Sequence, residues 1–429
     1  MSYKLQNVAT GRLFDDTGWL LADSEYNTPA LIRAIYDKKQ IGIGDASEGI
    51  YRFAEWLPIT RTLKNSSATV TYKSVKLASY LGLRNLYISF SGYWPEKGAN
   101  MMTCSFKETE AYSVCGRLTG KENGIMVVAS AGNTARAFAK VCSDNDIPLL
   151  IVVPEDNLDA MWFNTTLNEC VKLISTPSGS DYFDAIDLAN KVCKSDYFFE
   201  EGGAKNVARR DGMGTTVLSA AHEIGAIPDY YFQAIGSGTG AIAAWEANLR
   251  LIEDGRFGNH KMKLFLVQNY PFVPMYEAWK KGDRNIIFTN EDEARNLALQ
   301  IEAKVLSNRR PPYGITGGLF DAMCDAGGDM EIADNRELVE AATLFEDLEG
   351  NDIHPAAAIA LAGMIKSINS GKVDKEKVIM LNITGGGEAH FKFENRLFYK
   401  KADLIIDNNS DVNIIHERVI RLFSLSSCF

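Results

Sequence analysis

Short, almost continuously apolar runs alternate along this chain with longer stretches of helical character, beginning near residue 125. Runs such as "GIMVVAS", "PLLIVVP" and "CVKLIST" are each followed, at once or after a loop, by segments such as "TARAFAKVC" and "DYFDAIDLANKVC". Buried strands that are apolar throughout, each leading to a helix, are typical of parallel sheets covered on both faces. The pattern therefore predicts an α/β protein with open, twisted, mostly parallel sheets flanked by helices.

Two such series occur in succession, and they predict two sheets. The second contains the strand-like runs "DYYFQAIG", "KLFLVQN" and "KVIMLNIT", together with the helical runs "AIAAWEANLRLIEDG" and "PAAAIALAGMIKSI". A chain of 429 residues is long enough for two substantial cores. We expect a small domain over residues 101–205 and a large domain made of residues 1–100 and 206–429.

Composition and charge narrow the classes of function. The 45 basic and 55 acidic side chains give a net charge of −10, so nucleic acid and anionic membranes are repelled on average. An anionic substrate would need a local basic pocket. The N-terminus has no apolar signal segment, and the longest apolar runs are too short to cross a bilayer. The seven cysteines form no C-x-x-C pair and no cluster with histidine, which predicts reduced thiols, no metal site and a cytoplasmic location.

The stretch "MMTCSFKETE" raises the first question of chemistry, because it places Lys107 near the start of a helix. Ser105 and Glu108 have the spacing of a capping box, and no helix breaker follows until Gly116. The N-terminal turn favours anions, so a partly desolvated lysine there has its ammonium form disfavoured and its pKa lowered. A neutral amine is a nucleophile, whereas the alternative interpretation is an ordinary surface lysine.

Loops after the predicted strands contain further polar groups. In open parallel sheets these loops bind ligands. The loop "SAGNTAR" offers Gly132 and Asn133, although it could also be a simple turn with a helix cap. The loop "GSGTGA", residues 236–241, forms a nest of N–H groups suited to phosphate. A dinucleotide fits less well, because the next strand ends in Gln268 and Asn269 and not in the acid that would bind ribose.

Two more segments complete the set. In "TGGGEA", Thr384 precedes three glycines, which would leave one wall without side chains, where a flat group could lie; the alternative is a loose chain reversal. In "GGAKNVARRDGMGT", a helix would put Lys205 and Arg209 on one face, and Asn206 and Arg210 on another. This is a possible anion clamp, and a solvated helix start is an equally good interpretation.

Together these parts resemble the fold type II pyridoxal-phosphate-dependent enzymes, in particular threonine synthase and its relatives, and among those the cysteate synthases. The resemblance lies in "LYISFSGYWPEKGANMMTCSFKE", "VVASAGNTARAFA", "EGGAKNVARRDGMGT", "FQAIGSGTGAIAAWEANLRLIEDGRFGN", "PPYGITGG" and "LNITGGG", but not in the first 40 residues or the tail after Glu388. It implies a cofactor in the cleft between two domains. Lys107 would attach pyridoxal 5'-phosphate and later move a proton, Asn133 would bind the ring 3-oxygen, and Thr384 would meet the ring nitrogen. The phosphate would lie on Gly236, Ser237, Gly238, Thr239 and Gly240.

The resemblance also implies a reaction, which is β-replacement on O-phospho-L-serine with sulfite to give L-cysteate and phosphate. The substrate carboxylate would bind to the loop formed by Ser130, Ala131, Gly132, Asn133 and Thr134. The residues implied for the anionic phosphate and sulfite groups are Lys97, Lys205, Asn206, Arg209 and Arg210. A homodimer is expected, and the product would serve coenzyme M or sulfonolipid synthesis.

Three alternatives remain open from sequence. One is threonine synthase activity on O-phosphohomoserine, or β-replacement with a nucleophile other than sulfite. Another is a nicotinamide-dependent oxidoreductase that uses "GSGTGA", against which the missing ribose acid counts. The third is a ligand-binding relative without catalysis.

Overall fold

The computed structural model describes residues 2–26, 28–120, 122, 124–130, 132–288 and 290–424. The strands in this part of the chain are β1 Tyr3–Asn7, β2 Leu13–Phe14, β3 Ile32–Tyr36, β4 Val70–Lys73, β5 Asn85–Phe90, β6 Tyr93–Trp94, β7 Ala99–Asn100, β8 Ile125–Ala129, β9 Leu149–Pro154, β10 Trp162–Phe163, β11 Val171–Thr176, β12 Phe198–Glu200, β13 Tyr230–Ala234, β14 Lys263–Asn269, β15 Asp329–Ala333, β16 Val378–Ile383, β17 Phe398–Tyr399 and β18 Leu404–Ile405. The α-helices are α1 Lys76–Leu81, α2 Lys107–Arg117, α3 Asn133–Asp144, α4 Tyr182–Val192, α5 Val207–Ile224, α6 Thr239–Asp254, α7 Pro274–Lys281, α8 Glu291–Gln300, α9 Leu319–Ala326, α10 Asn335–Glu349, α11 Pro355–Asn369, α12 Glu388–Glu394 and α13 Val412–Ser424.

The first predicted series forms a five-stranded sheet. Its strand order is β12-β8-β9-β11-β18, and all its neighbouring strands are parallel. Helices α2 and α3 pack on one face of this sheet, and helices α4 and α13 pack on the other. Because both faces are covered, strands β9 and β11 are buried at every position, which explains the uninterrupted apolar run of β9.

The second series forms a six-stranded sheet of order β15-β14-β13-β16-β5-β4, parallel except for β4 at the edge. Helices α1, α10 and α11 pack on one face, and helices α5, α6 and α9 pack on the other. The predicted fold class is therefore confirmed, with two mostly parallel sheets, each between layers of helices.

The chain after Glu394 does not stay with the large domain, where we expected it. Strand β18 pairs in parallel with β11 at the edge of the five-stranded sheet. Helix α13 then buries Ile415, Val419 and Phe423 against the core that contains α4. The five-stranded sheet and its helices therefore include a second segment of the chain after Glu394, because the apolar side chains of α13 are buried against α4.

The remaining features are local. Strands β1, β2 and β3 form a separate antiparallel sheet near the N-terminus. The six cysteines in the described part of the chain are free thiols, and four of them are buried. No helix in these residues is both long enough and apolar enough to span a membrane.

Candidate active site

The carboxyl ends of strands from both sheets converge on one cleft. Ser130 follows β8, Lys205 lies shortly beyond β12, Ser237 follows β13 and Thr384 follows β16. Each of these four residues lines at least one of two adjoining cavities. This arrangement is the expected one for parallel sheets, whose ligands bind beyond the carboxyl ends of the strands.

The smaller of these, which we call the inner cavity, has a volume of about 80 Å³. The residues that we use to define it are Phe106, Lys107, Asn133, Gly236, Ser237, Gly238, Gly240, His354 and Thr384. The larger, which we call the outer cavity, has a volume of about 410 Å³. The two share Lys107, Asn133 and Ser237, so the predicted cofactor residues and most of the predicted substrate loop lie around one continuous space.

Lys107 is the first residue of α2, and its amine is held in a mostly enclosed position. The side chain is 20% exposed, and Nζ lies 3.3 Å from Glu110 Oε2 and 4.7 Å from the centre of the Phe106 ring. Burial, together with the charge of Arg209, lowers the pKa of Lys107, while Glu110 acts in the opposite direction. The lowered pKa that we expected from the sequence is therefore present, and burial is its main cause.

The predicted capping box is wrong. Phe106 is the residue before α2, and no side chain caps the helix there. Glu108 instead accepts hydrogen bonds from the Thr103 N–H at 2.5 Å and from Ser67 Oγ at 2.9 Å. Its carboxylate therefore holds the loop before the helix, and not the N-cap position.

Asn133 begins α3 and faces both cavities. Its side-chain oxygen accepts a hydrogen bond of 3.0 Å from Arg136, whose guanidinium is buried and lies 3.9 Å from the centre of the Trp162 ring. Because the oxygen points to Arg136, the amide NH₂ is the group that Asn133 can donate to a ligand. From the sequence, Asn133 could also have capped the helix. In the structure no side chain caps the start of α3, and the Asn133 oxygen accepts a hydrogen bond from Arg136.

The glycine loop over residues 236–240 connects β13 to α6, a helix of 16 residues. A Cβ atom on Gly236 would lie 2.7 Å from the Val305 carbonyl oxygen, and one on Gly238 would lie 2.7 Å from Leu319. Glycine is therefore required for the close packing of this loop, and Gly238 also has a positive φ of 76°. The loop turns its backbone into the first turn of α6, where N–H groups have no partner within the helix.

The glycines after Thr384 do not form a wall for a flat ligand, contrary to our expectation. A Cβ on Gly385 would lie 2.3 Å from His354 Nδ1, and one on Gly386 would lie 2.6 Å from the Asp352 carbonyl. The backbone of this run joins neighbouring segments, since the Phe106 N–H donates to the Thr384 carbonyl at 3.0 Å. The glycines thus allow protein to pack against protein, and in doing so they fix Thr384 beside Lys107.

The described charged side chains that line the outer cavity are all basic. Its described lining contains no Asp or Glu side chain, and its basic residues are Lys107, Lys205, Arg209, Lys304 and Arg310. Lys205 is exposed, and its side chain has no hydrogen-bonding or ionic partner among the described residues. The Lys304 amine donates to the Leu299 carbonyl at 2.8 Å. In a chain with a net charge of −10, this is the local basic pocket that an anionic substrate needs.

Arg209 lies between the cavity and a pair of buried carboxylates. Its Nη1 is 3.3 Å from Glu110, and its Nε donates to Glu201 at 2.9 Å. Although burial opposes it, the pairing with Glu110 and Glu201 raises the pKa of Arg209, so its charge is permanent. Burial raises the pKa of Glu201, and Arg209 counteracts this.

Three of the residues expected to bind anions do not line the cavities. Arg210 is fully buried and bonds to Glu246 at 2.9 Å. Asn206 caps α5 by accepting from the Ala208 N–H, which also shows that the helix begins after Lys205 and that the predicted shared faces are wrong. The amine of Lys97 lies 4.0 Å from the centre of the Tyr72 ring. These three residues therefore do not belong to the proposed site. Ala131, which we expected in the substrate loop, lies outside the described residues.

Several lining residues were not found from the sequence. Lys304 and Arg310 come from the segment between α8 and α9, and Tyr182 begins α4. His354 lines the inner cavity, and its Nε2 is 3.0 Å from Glu388. None of them belongs to a motif at the end of a parallel strand, so the rule that located the other residues gave no signal for them.

Comparison with known families identifies the group to which the chain belongs. A family model described as "Pyridoxal-phosphate dependent enzyme" matches residues 96–385. The chain belongs to the pyridoxal-phosphate-dependent enzymes. Pyridoxal phosphate is therefore its cofactor, and the matched range extends from just before Lys107 to the glycines after Thr384.

The relatives of this pyridoxal-phosphate-dependent enzyme place it among the cysteate synthases. It is 48% identical to the cysteate synthase of Methanosarcina acetivorans over 385 residues, which cover 89% of this chain and 92% of that protein. It is 49% identical to the one from Methanocella paludicola over 381 residues, or 88% of each chain. The Methanosarcina mazei protein is 46% identical over 415 residues, which are 96% of this chain and 98% of that one.

Solved structures show the same fold at low identity. Maize serine racemase superposes with a TM-score of 0.58 at 14% identity, covering 83% of this chain and 93% of the other. The processed form of threonine deaminase isoform 2 from Solanum lycopersicum also gives 0.58, at 18% identity, covering 84% and 95%. These likenesses support the fold type II architecture.

The described residues of this pyridoxal-phosphate-dependent enzyme fit its cofactor. The inner cavity presents an amine, an amide NH₂, a hydroxyl and the start of a long helix, which match an aldehyde, a ring oxygen, a ring nitrogen and a phosphate. The tight contacts of Gly236 and Gly238 leave no room for a Cβ atom at these two positions of the 236–240 loop.

Proposed function

We propose that this chain makes L-cysteate and phosphate from O-phospho-L-serine and sulfite. The supporting observation is the outer cavity, whose described lining places several basic side chains around Lys107 and includes no carboxylate. Phosphoserine and sulfite both carry a compact oxyanion, and a cavity of this charge favours both. The proposal also agrees with the names of the relatives.

In the proposed site, Lys107 attaches the cofactor, Asn133 binds the ring oxygen and Thr384 approaches the ring nitrogen. Residues Gly236, Ser237, Gly238, Thr239 and Gly240 bind the cofactor phosphate. When bound, pyridoxal phosphate withdraws electrons from the amino acid, which makes the α-proton acidic and allows a β-substituent to leave. The neutral Thr384 hydroxyl does not hold the ring nitrogen protonated, as a carboxylate would, and this favours loss of the β-substituent.

The chain's own groups supply the proton transfers and the binding of the substrate. The Lys107 amine removes the α-proton and later returns it. Between these events the β-carbon–oxygen bond to phosphate breaks, and a carbon–sulfur bond to sulfite forms. Ser130, Gly132 and Thr134 bind the substrate carboxylate, and Lys205, Arg209 and Arg310 bind the departing phosphate and the arriving sulfite.

Phosphate and sulfite are bonded in turn to the same carbon, so one cationic wall serves both. Arg310 adds a charge from the segment between α8 and α9, and its contact with the Glu291 carboxylate is long at 4.0 Å. The guanidinium is therefore only weakly neutralised and can turn to an anion in the cavity.

A direct assay tests the proposed reaction. Purified protein with cofactor is supplied with phosphoserine and sulfite, with phosphoserine and sulfide, or with phosphohomoserine in water, and the amino acids are separated and quantified. We expect cysteate in the first assay as the main product. Threonine formed from phosphohomoserine without any cysteate would overturn the proposal.

A substitution tests the attachment site. Lys107→Ala should abolish the visible absorbance of lysine-bound cofactor and cysteate formation, whereas the control Lys261→Ala removes a lysine that pairs with Asp325 away from the cleft. Borohydride reduction followed by peptide mapping should place the cofactor on Lys107. Attachment to any other lysine would contradict the assignment.

We also propose a homodimer in the cytoplasm as the working state. Sedimentation of the holoenzyme gives its mass in solution, and fractionation of cells gives its location. A monomer, or recovery outside the cytoplasmic fraction, would refute the respective part of this proposal.

A further inference from the structure

A buried carboxylate lies directly beside the amine of Lys107. Glu110 follows one turn later in α2, and its side chain has no solvent exposure. Its Oε2 is 3.3 Å from Lys107 Nζ, which is within reach of a charge-assisted hydrogen bond. No motif in the sequence drew attention to this residue.

The position of Glu110 is fixed from a second side. Its other oxygen, Oε1, lies 3.3 Å from Arg209 Nη1, and Arg209 comes from α5. The charged and titratable groups that surround this carboxylate are therefore Lys107 on its own helix, Arg209 on α5, Glu201 after β12 and Tyr182 at the start of α4. Held between two cations, the carboxylate has little freedom to move away from the amine.

Arg209 alone does not explain why Glu110 is present. Glu201 already forms two hydrogen bonds with the same guanidinium, through Nε and Nη2. Burying another carboxylate costs several kcal/mol unless it is well paired. Glu201 bonds to Arg209, whereas Glu110 also bonds to the Lys107 amine. The contact with this amine is therefore what Glu110 adds to the cluster.

We propose that Glu110 is a positioning residue for Lys107, which holds the ammonium in the cleft whenever the lysine is not attached to the cofactor. The inference rests on the proposed role of Lys107. An amine released by the incoming amino acid would otherwise be free to swing toward the larger outer cavity. Bonded to Glu110, it stays close to the substrate and can return its proton to the same atom.

The charge balance defines the expected effect. Glu110 stabilises the ammonium form, while burial and Arg209 favour the neutral amine. Removing the negative charge therefore lowers the pKa of Lys107, and at a given pH more of the amine is neutral and reactive. At the same time the amine loses the carboxylate that holds it in the cleft.

The test measures the amine of Lys107 in full-length, cofactor-free protein. Trace acetylation over a range of pH, followed by mass spectrometry of the Lys107 peptide, gives the midpoint at which this lysine becomes reactive. In Glu110→Gln we expect the midpoint to fall by about one pH unit or more, which corresponds to about tenfold faster labelling below the midpoint. In the holoenzyme, the acidic limb of the kcat profile should move in the same direction.

Glu108→Gln is the matched control. Glu108 is equally buried in the same turn of α2, but its carboxylate bonds to Thr103 and Ser67. Its substitution should leave the Lys107 midpoint near the wild-type value. Equal shifts in the two variants, or no shift in Glu110→Gln, would overturn the proposal.

A second variant covers the case in which Glu110→Gln does not fold. Glu110→Asp keeps the charge and withdraws it by one methylene, so its midpoint should fall between wild type and Gln; a midpoint identical to wild type would contradict the inference. The labelling needs no substrate. A shift without cysteate formation would therefore overturn only the proposed reaction, and cysteate formation without a shift would overturn only the role of Glu110.

Discussion

At the scale of single residues, Arg136 shows how the site depends on groups that do not line its cavities. It donates to Asn133, to the Thr103 carbonyl and to the Ala160 carbonyl, and it stacks on Trp162. A fork of N–H donors in one plane can make these contacts together, which an amine cannot. The orientation of the Asn133 amide therefore depends on an arginine.

Arg136→Lys should weaken cofactor binding without affecting Lys107 directly. Loss of a charge-assisted hydrogen bond costs about 1.5–3 kcal/mol, so we expect the Kd for pyridoxal phosphate to rise about tenfold or more. Titration of the visible absorbance measures it. In an Asn133→Ala background the same substitution should have almost no further effect, and additive losses would contradict this role for Arg136.

Gly385 makes a second prediction at this scale. In Gly385→Ala the new methyl would collide with the His354 ring and the Cys104 carbonyl, at 2.3 and 2.9 Å. We expect a loss of about 3 kcal/mol in the free energy of unfolding, together with weaker cofactor binding, because Thr384 and Phe106 are displaced. Gly371→Ala, in open solvent at a φ of 71°, should cost only about 1–2 kcal/mol of left-handed strain and spare the cofactor. Equal cofactor binding in the two variants would refute this.

At the scale of elements, the sequence predicted those parts of the fold whose physical cause is local. All the apolar runs named above became strands, for example β8, β9 and β16, since continuous burial leaves a direct mark on composition. Strands β4 and β15 were missed, because edge strands are partly exposed and lack that mark.

The start of α2 shows why sequence reasoning failed elsewhere. The spacing of Ser105 and Glu108 fits a capping box, but a tertiary contact with Thr103 and Ser67 takes the glutamate instead. In the same way, the partners of Arg210 and of the glycine run lie far away in sequence. The positions of Asn133 and the 236–240 loop were foreseeable because strand ends position them, and that of Lys107 because a helix was predicted to begin there, whereas Glu110 and His354 depend on packing between distant segments.

Strand β15 carries a prediction about pH. Asp329 at its start pairs with Lys280 and Lys372, at 2.6 and 2.9 Å. Although burial opposes it, these bonds lower the pKa of Asp329 to about 2. A depressed pKa in the folded state means that the carboxylate stabilises the fold above its normal pKa near 4, and that this contribution is lost as the pH falls toward 2.

Asp329→Asn should therefore lower the free energy of unfolding at pH 7 but make little difference near pH 2. Urea unfolding of both proteins at several pH values measures the difference. A gap between variant and wild type that stays constant from pH 7 to pH 2 would show that the carboxylate charge is not responsible.

At the scale of the whole molecule, the two sheets are joined by more than one passage of the chain. The chain crosses into the five-stranded sheet before β8, returns through α5 to β13, and after β16 sends its tail back to β18. Arg309 adds a contact between the domains, because it bonds to Asp181 at 2.8 Å from the segment that also carries Arg310. The walls of the cleft are thus held in register by covalent connections as well as by side chains.

The tail gives a matched pair of substitutions in adjacent residues. Ile415 in α13 is fully buried in the small domain, whereas Ile414 is 52% exposed. Ile415→Ala should lower the free energy of unfolding by about 2–5 kcal/mol, and Ile414→Ala should stay within about 0.5 kcal/mol. Urea titrations compare them. Equal losses would mean that α13 does not pack as described.

The late position of β16 and β18 in the sequence affects how the protein is made. Strand β16 lies between β13 and β5 in the middle of its sheet, and β18 closes the edge of the other, yet both begin after residue 377. During synthesis the six-stranded sheet cannot acquire β16, nor the five-stranded sheet β18, until residues 378–405 have left the ribosome. A ribosome-bound chain therefore exposes unfinished sheet edges until these residues emerge, and only then can it complete the pocket for a vitamin-derived cofactor.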